Sequence, residues 1–171
     1  MSDDLVFSGR FLSLRKRAGW EYASRVGVRG AAAIVAVTPA GELILVEQFR
    51  IPLGRKVIDL PAGLVGDDSQ HQDEDPSLAA GRELEEETGW RAESMRHLGT
   101  CPTSPGLSDE VVFLFQATGL FQVGAGGGVA GENITVHLVP VIGLRVWLHQ
   151  RDALVDLKLW AGLALAGISA R

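Results

Sequence analysis

Between Asp75 and Gly89 the sequence writes out a helix with both ends fixed and one face committed. Asp75 is a side-chain cap, Pro76 suits the first helical position, and Gly89 suits the left-handed residue that ends a helix. A helix is therefore expected over Pro76 to Thr88. Leu84, with Leu78, Ala80 and Thr88, marks the side that turns to a core. Glu83, Glu86 and Glu87 stand at i, i+3 and i+4, so their carboxylates share one face of the last turn. Mutual repulsion of such a group costs roughly a few tenths of a kcal/mol per pair. The helix macrodipole disfavours negative charge at that end as well. A merely solvated acidic face has no reason to gather just before a glycine stop. Carboxylate oxygens held this closely call for a hard divalent cation, and Mg²⁺ is the natural one.

The flanking sequence reads as strands on one side and strands then helices on the other. Leu5 to Leu14 alternates and is expected as a strand, Ala18-Gly19 as a turn, and Trp20 to Val26 as the next strand. Ala31 to Val37 is a buried strand, and Thr38-Pro39-Ala40-Gly41 turns it into Glu42 to Phe49 as a hairpin. Val57 to Leu60 is a short strand, and 64 to 75 is polar and irregular. After the helix, strands are expected at Ala92 to Cys101, Glu110 to Ala117 and Ile134 to Val139. A Gly-rich stretch, Gly124 to Gly131, reads as a mobile loop, and apolar helices near Ile142 to His149 and Leu154 to Ile168 close the chain. This order fits a mixed α+β sandwich better than a βαβ repeat.

Composition narrows the function. The chain has 171 residues, 46% of them hydrophobic and 22% charged, which suits a globular unit with a real core. The net charge is −5 and no Lys/Arg-rich stretch is present, since Arg15-Lys16-Arg17 is a short strand-end cluster. That argues against a nucleic-acid partner. Ala31 to Val37 is far too short to span a bilayer, and the acidic start lacks a signal-peptide pattern. Cys101 is the only cysteine, so no internal disulfide forms, and a cytoplasmic location is the expectation.

The run Arg82-Glu83-Leu84-x-Glu86-Glu87-x-Gly89-Trp90 resembles the second half of the Nudix box, with Glu74 at the family's spacing before Arg82. The resemblance implies a Nudix-type α/β/α sandwich with a mixed sheet. It implies divalent metals, Mg²⁺ or Mn²⁺, held by Glu83, Glu86 and Glu87. Glu74 and Arg82 would brace the loop, and Gly63 and Gly89 would be structural. The sequence departs from the pattern at Asp68, where the family has glycine. Gly63 is the nearest equivalent, which makes the loop up to Glu74 five residues longer.

Outside the box, Val46-Glu47-Gln48-Phe49-Arg50, Leu60-Pro61-Ala62-Gly63 and Ser104-Pro105-Gly106-Leu107-Ser108-Asp109-Glu110 resemble the ADP-ribose pyrophosphatase branch. The implied reaction is hydrolysis of a nucleoside diphosphate linked to a second group, with ADP-ribose cut to AMP and ribose 5-phosphate. The Ala62 carbonyl would join the metal ligands, and Arg50 would contact phosphates through its planar fork of donors. Ser104 and Gly106 would border the ribose and catalytic pocket. Glu47 either meets the adenine edge or caps the sheet. Glu132, after the Gly-rich loop, is the first candidate for the general base, with Glu110, Glu86 and Glu87 as alternatives.

The same resemblance divides the chain into N-terminal strands at 1–28 and a Nudix domain at 29–171. Such strands exchange between subunits, so a homodimer is expected. Trp20 or Tyr22 then stacks on adenine or fills the sheet interface. Alternatives are a nucleotide sugar such as GDP-mannose as substrate, or a Nudix-fold ligand-binding regulator. Regulators of that kind usually lose box glutamates, and this chain keeps them.

Overall fold

The computed structural model describes residues 3–66, 73–128 and 132–170. Strands β1 (Asp3–Ser8), β2 (Leu12–Arg17) and β3 (Trp20–Arg25) form an antiparallel sheet of their own. The expected single strand over Leu5 to Leu14 is thus two. The chain turns at Gly9, whose N–H donates to the Leu12 carbonyl at 2.8 Å. The Ala18-Gly19 turn is present, with both residues at positive φ (50° and 85°).

Two further sheets follow. One has the order β7 (Ala62–Val65), β4 (Gly30–Ala36), β10 (Val111–Thr118), β9 (Ser94–Pro102). In the other, β12 (Thr135–Pro140), β5 (Glu42–Arg50), β6 (Arg55–Asp59) and β13 (Leu154–Val155) lie side by side. Both are mixed, because β10 runs parallel to β4 and β13 parallel to β6. A small ribbon pairs β8 (Trp90–Arg91) with β11 (Phe121–Gln122).

The expected hairpin between β4 and β5 does not form. Its turn exists, closed by Thr38 N–H to the Glu42 carbonyl at 2.8 Å, but a single bridge, Val37 to Leu43, joins the strands. Beyond it they part into different sheets. Both strands are apolar on both faces, and such strands want neighbours on either side and cover above and below. Each therefore sits inside its own sheet, between β7 and β10 or between β12 and β6.

Alternation along β4 and β5 divides the core in two. Ala32, Ile34 and Ala36, with Ile44, pack against Ala79, Ala80 and Leu84 of helix α1 (Pro76–Thr88). Ala33 and Val35, with Leu43 and Leu45, pack against Leu144 and Leu148 of α2 (Leu144–His149) and Leu159 and Leu163 of α3 (Leu157–Leu165). The result is helices on both sides of the strands. Helix α1 keeps the expected bounds. Asp75 accepts from Ser77 N–H at 2.8 Å, and Gly89 closes the end at φ 73°. Leu78 does not face the core as expected; it is 65% exposed, and Ala79 takes its place. The C-terminal helices start later than read, since β13 uses Leu154 and Val155. Strand β7 occupies the start of the segment read as irregular.

The Gly-rich stretch is also different from the reading. Val123 and Gly124 donate to the Gly89 carbonyl at 2.8 and 3.1 Å, and Gly127 and Gly128 donate to the carbonyls of Glu87 and Glu86 at 2.7 and 3.0 Å. These are carbonyls that a helix end leaves without partners, so the strap caps α1 rather than swinging free. Only glycine allows the approach: a Cβ at Gly126 would lie 2.3 Å from the Thr88 carbonyl carbon. Residues 129–131 of the stretch, like Asp68 in the longer loop, lie outside the described residues.

Candidate functional site

A cleft of about 600 Å³ opens where β7, the end of β6, the last turns of α1 and the start of α3 meet. Its acidic wall is Glu83 and Glu87, both buried, with 9% and 7% of their surface exposed. Across from them the strand β7 supplies Ala62 and Gly63. The Ala62 N–H donates to Glu87 Oε2 at 2.8 Å. A Cβ at Gly63 would sit 2.0 Å from the Glu83 carboxyl carbon, so the absent side chain makes room for that carboxylate. Gly63 lies in a strand without positive φ, and its reason is space, not backbone freedom.

The Glu87 carboxyl is pushed up to about 8. Burial is the main cause; the Ala62 N–H opposes it, while Glu83, Glu132 and Asp59 add to it. A desolvated carboxylate beside others lacks positive charge, and a divalent cation would supply it. The donor set is all oxygen, which fits Mg²⁺ or Mn²⁺ and not a thiolate-preferring metal. Among the described residues, no three acidic, histidine or cysteine side chains converge as a finished ligand set.

Glu86 departs from its neighbours. It does not line the cleft; its Oε2 accepts from Arg82 Nη1 at 3.2 Å. The same guanidinium holds Glu83 Oε1 at 2.7 Å and reaches Glu74 Oε2 at 3.4 Å and the Leu64 carbonyl at 3.5 Å. Arg82 thus ties helix α1 to both ends of the long loop. Burial alone would lower its pKa, but Glu83, Glu74 and Glu86 outweigh it and raise it.

Of the other expected site residues, Arg50, Glu110 and Glu132 line this cleft. The Glu132 backbone is anchored by Gln48 Nε2, which donates to its carbonyl at 2.9 Å. Glu47 lies away from the cleft and pairs with Lys56 Nζ at 2.6 Å and His137 Nε2 at 3.2 Å. Those partners, Lys56 first, keep its carboxyl below the usual range. Tyr22 is buried, and its hydroxyl donates to Asp3 at 2.6 Å. Trp20 is 64% exposed, with its indole N–H directed at the Gly106 carbonyl at 3.4 Å. Ser104 and Gly106 belong to a turn that docks β3: Ala23 N–H donates to the Leu107 carbonyl at 2.8 Å. The turn's neighbour Thr103, rather than Ser104 or Gly106, lines the cleft.

The sequence reading missed four charged cleft residues: Arg25, Asp59, Asp156 and Lys158. Arg25 comes from β3 and binds Glu110 through Nε. Lys158 Nζ lies 2.8 Å from both Asp59 and Asp156, and Asp156 also caps α3 through Lys158 N–H at 2.9 Å. Burial raises the Asp59 carboxyl despite Lys158. A signal was there to find. Asp59 interrupts the apolar run Val57-Ile58-Asp59-Leu60, and Lys158 is the one charge between Leu157 and Ala170.

Comparison with known proteins gives the family and the fold. A methanol dehydrogenase activator from Bacillus methanolicus is 39% identical over 121 residues, covering 67% of this chain and 63% of that protein. An ADP-ribose pyrophosphatase from Bacillus subtilis is 44% identical over 88 residues, covering 52% of this chain and 45% of that protein. The matched region therefore spans about half to two-thirds of those relatives' length. The crystal structure of an ADP compounds hydrolase superposes with a TM-score of 0.74 at 18% identity, over 98% of this chain and 90% of the other, which is a likeness of fold. The model of the NUDIX domain matches residues 27–156, which include the whole acidic helix and both of its cleft-facing glutamates, and the chain belongs to the Nudix family.

Proposed function

We propose that this chain is a divalent-metal-dependent pyrophosphohydrolase that cuts a nucleoside diphosphate joined to a second group, with ADP-ribose yielding AMP and ribose 5-phosphate. The observation that carries the reading is the facing pair of walls: buried Glu83 and Glu87 against Ala62 and Gly63, with Arg25, Arg50 and Lys158 in the same cleft. A diphosphate needs cations around it, and this cleft offers fixed ones plus carboxylates that recruit a mobile one.

Glu83 and Glu87, with the Ala62 carbonyl, would hold the metal, and Mg²⁺ is the expected ion. Bound there, it supplies charge neutralisation on the diphosphate and a more acidic water. Arg50 and Arg25 hold the phosphate oxygens through their planar forks of donors. Glu132 takes the proton from the attacking water, with Glu110 as the alternative base. Arg82 keeps Glu83 and Glu86 oriented, a supporting task rather than a chemical one. A cytoplasmic location accords with the free Cys101.

A homodimer belongs to the same reading. The N-terminal sheet leaves Leu5, Val6, Phe7, Phe11, Leu12 and Trp20 exposed, an apolar surface suited to a second copy. The decisive experiment incubates ADP-ribose, NADH, GDP-mannose and a dinucleoside polyphosphate with and without Mg²⁺ and separates the products. Metal-dependent release of AMP from ADP-ribose is expected. Hydrolysis of none of the four would refute the enzyme reading.

A further inference from the structure

From Asn133 to Arg151 the sequence has no acidic residue, in a chain whose 21 aspartates and glutamates outnumber its 16 lysines and arginines. The end of that stretch folds around a cavity of about 260 Å³ that shares no lining residue with the cleft. Helix α2 supplies Arg145, Leu148 and His149, the turn after it Arg151, β13 Val155 and α3 Trp160. Arg145, His149 and Arg151 form an exposed rim over buried Leu148 and half-buried Val155 and Trp160. Among the described residues no carboxylate lines this cavity. Asp152, next to Arg151 in sequence, is committed to Arg55 Nη2 at 2.8 Å.

The two guanidiniums are held by aromatic faces instead of by acids. Arg145 Cζ stands 5.5 Å from the Trp160 ring centroid, and Arg151 Cζ 4.3 Å from that of Trp147. A guanidinium packed on an aromatic ring keeps its planar shape and its strong N–H donors. Arg145 gives Nε to the Ala170 carbonyl at 3.2 Å, and among the described residues neither arginine forms an ion pair. Folding accounts for part of the cluster only. His149 is a cation site in the last turn of α2, where positive charge complements the helix dipole. Arg145 lies in the first turn, where the dipole opposes it. Two like charges at one small cavity also repel each other, and an anion between them removes that cost.

We propose that this cavity binds a phosphate group, free or carried on a small sugar ester, at a site separate from the diphosphate cleft. Two guanidinium forks match the oxygens and the double charge of a phosphate, and the His149 ring adds a third polar contact. The Trp160 indole, with Leu148 and Val155, offers a flat apolar wall for the C–H face of a pentose. The volume falls below the roughly 300–1,000 Å³ of a site that encloses a larger ligand, which limits the ester to a small one. The assignment needs only these residues and does not depend on the reaction proposed at Glu83 and Glu87.

The experiment is calorimetric titration of the full chain, without added metal, with inorganic phosphate, with ribose 5-phosphate and with ribose. Both phosphates bind and ribose does not, and the affinity falls as chloride is raised. Arg145→Gln and Arg151→Gln change exposed rim positions, so Tm holds while each lowers the affinity by about tenfold, the scale of one hydrogen-bonded charge contact. Arg50→Gln, in the cleft, leaves this binding as it was. Equal affinities identify the free anion as the ligand, and tighter ribose 5-phosphate identifies the ester. Binding of neither phosphate overturns the proposal. So does an affinity that survives in the Arg145→Gln/Arg151→Gln double variant or is lost in Arg50→Gln.

Discussion

Gly63→Ala separates folding from function at a single methyl group. The added Cβ would sit 2.0 Å from the Glu83 carboxyl carbon and 2.2 and 2.3 Å from its oxygens. Carbon atoms in ordinary contact are about 3.5 Å apart, so the carboxyl must move by about 1.5 Å. The strand backbone has no positive φ at Gly63 and tolerates alanine, and the obstructing atoms are the far end of a flexible side chain. The fold therefore survives with a stability loss below about 1 kcal/mol. The metal site does not, because ligand positions tolerate only about ±0.2 Å. An affinity loss of about 10- to 100-fold is expected, or about 1.4 to 2.7 kcal/mol. The assay is Mg²⁺ titration of ADP-ribose hydrolysis and calorimetric Mn²⁺ binding, with thermal melting alongside. Unchanged metal affinity at unchanged Tm would refute the reasoning, since it would mean that Glu83 has no part in holding the ion.

Other perturbations test separate links. Lys158→Met leaves Asp59 and Asp156 without their ammonium; breaking a buried ion pair from one side costs about 3–5 kcal/mol. Burial raises Asp59 above its unfolded value, so its contribution is fully present below that value and lost as pH rises through the folded one. The Tm deficit of Lys158→Met therefore shrinks in acid, and a deficit independent of pH would count against the triad. Gly89→Ala combines positive φ with a Cβ 2.3 Å from the Gly124 carbonyl oxygen, so at least about 1 kcal/mol and about 2–4 °C of Tm are lost. Glu132→Gln lowers kcat by about 10²- to 10⁴-fold with little change in KM; if Glu110→Gln shows that loss instead, the base is Glu110. Trp20→Ala shifts the species seen by light scattering from dimer to monomer, and an unchanged mass would remove Trp20 from the interface.

The bounds of the acidic helix were legible because their determinants are local. A cap at Asp75, a proline after it and a glycine at the stop act within a turn, and the structure returns the same bounds. Gly63 could be located by resemblance, but its reason lies in Glu83, twenty positions along the chain. What the residues could not reveal is pairing. The turn at Thr38 to Gly41 was readable, but whether β4 and β5 stay partnered depends on β10, β7, β12 and β6 competing for their edges. The split of Glu86 from Glu83 and Glu87 was equally invisible, because helical spacing puts all three on one face, whereas only Glu83 and Glu87 line the cleft. Lys158 joins Asp59 across 99 positions, a contact that only the docking of α3 creates. Local backbone preferences set which segment presents carboxylates; long-range packing alone decides which of them face a common cleft and which cations meet them there.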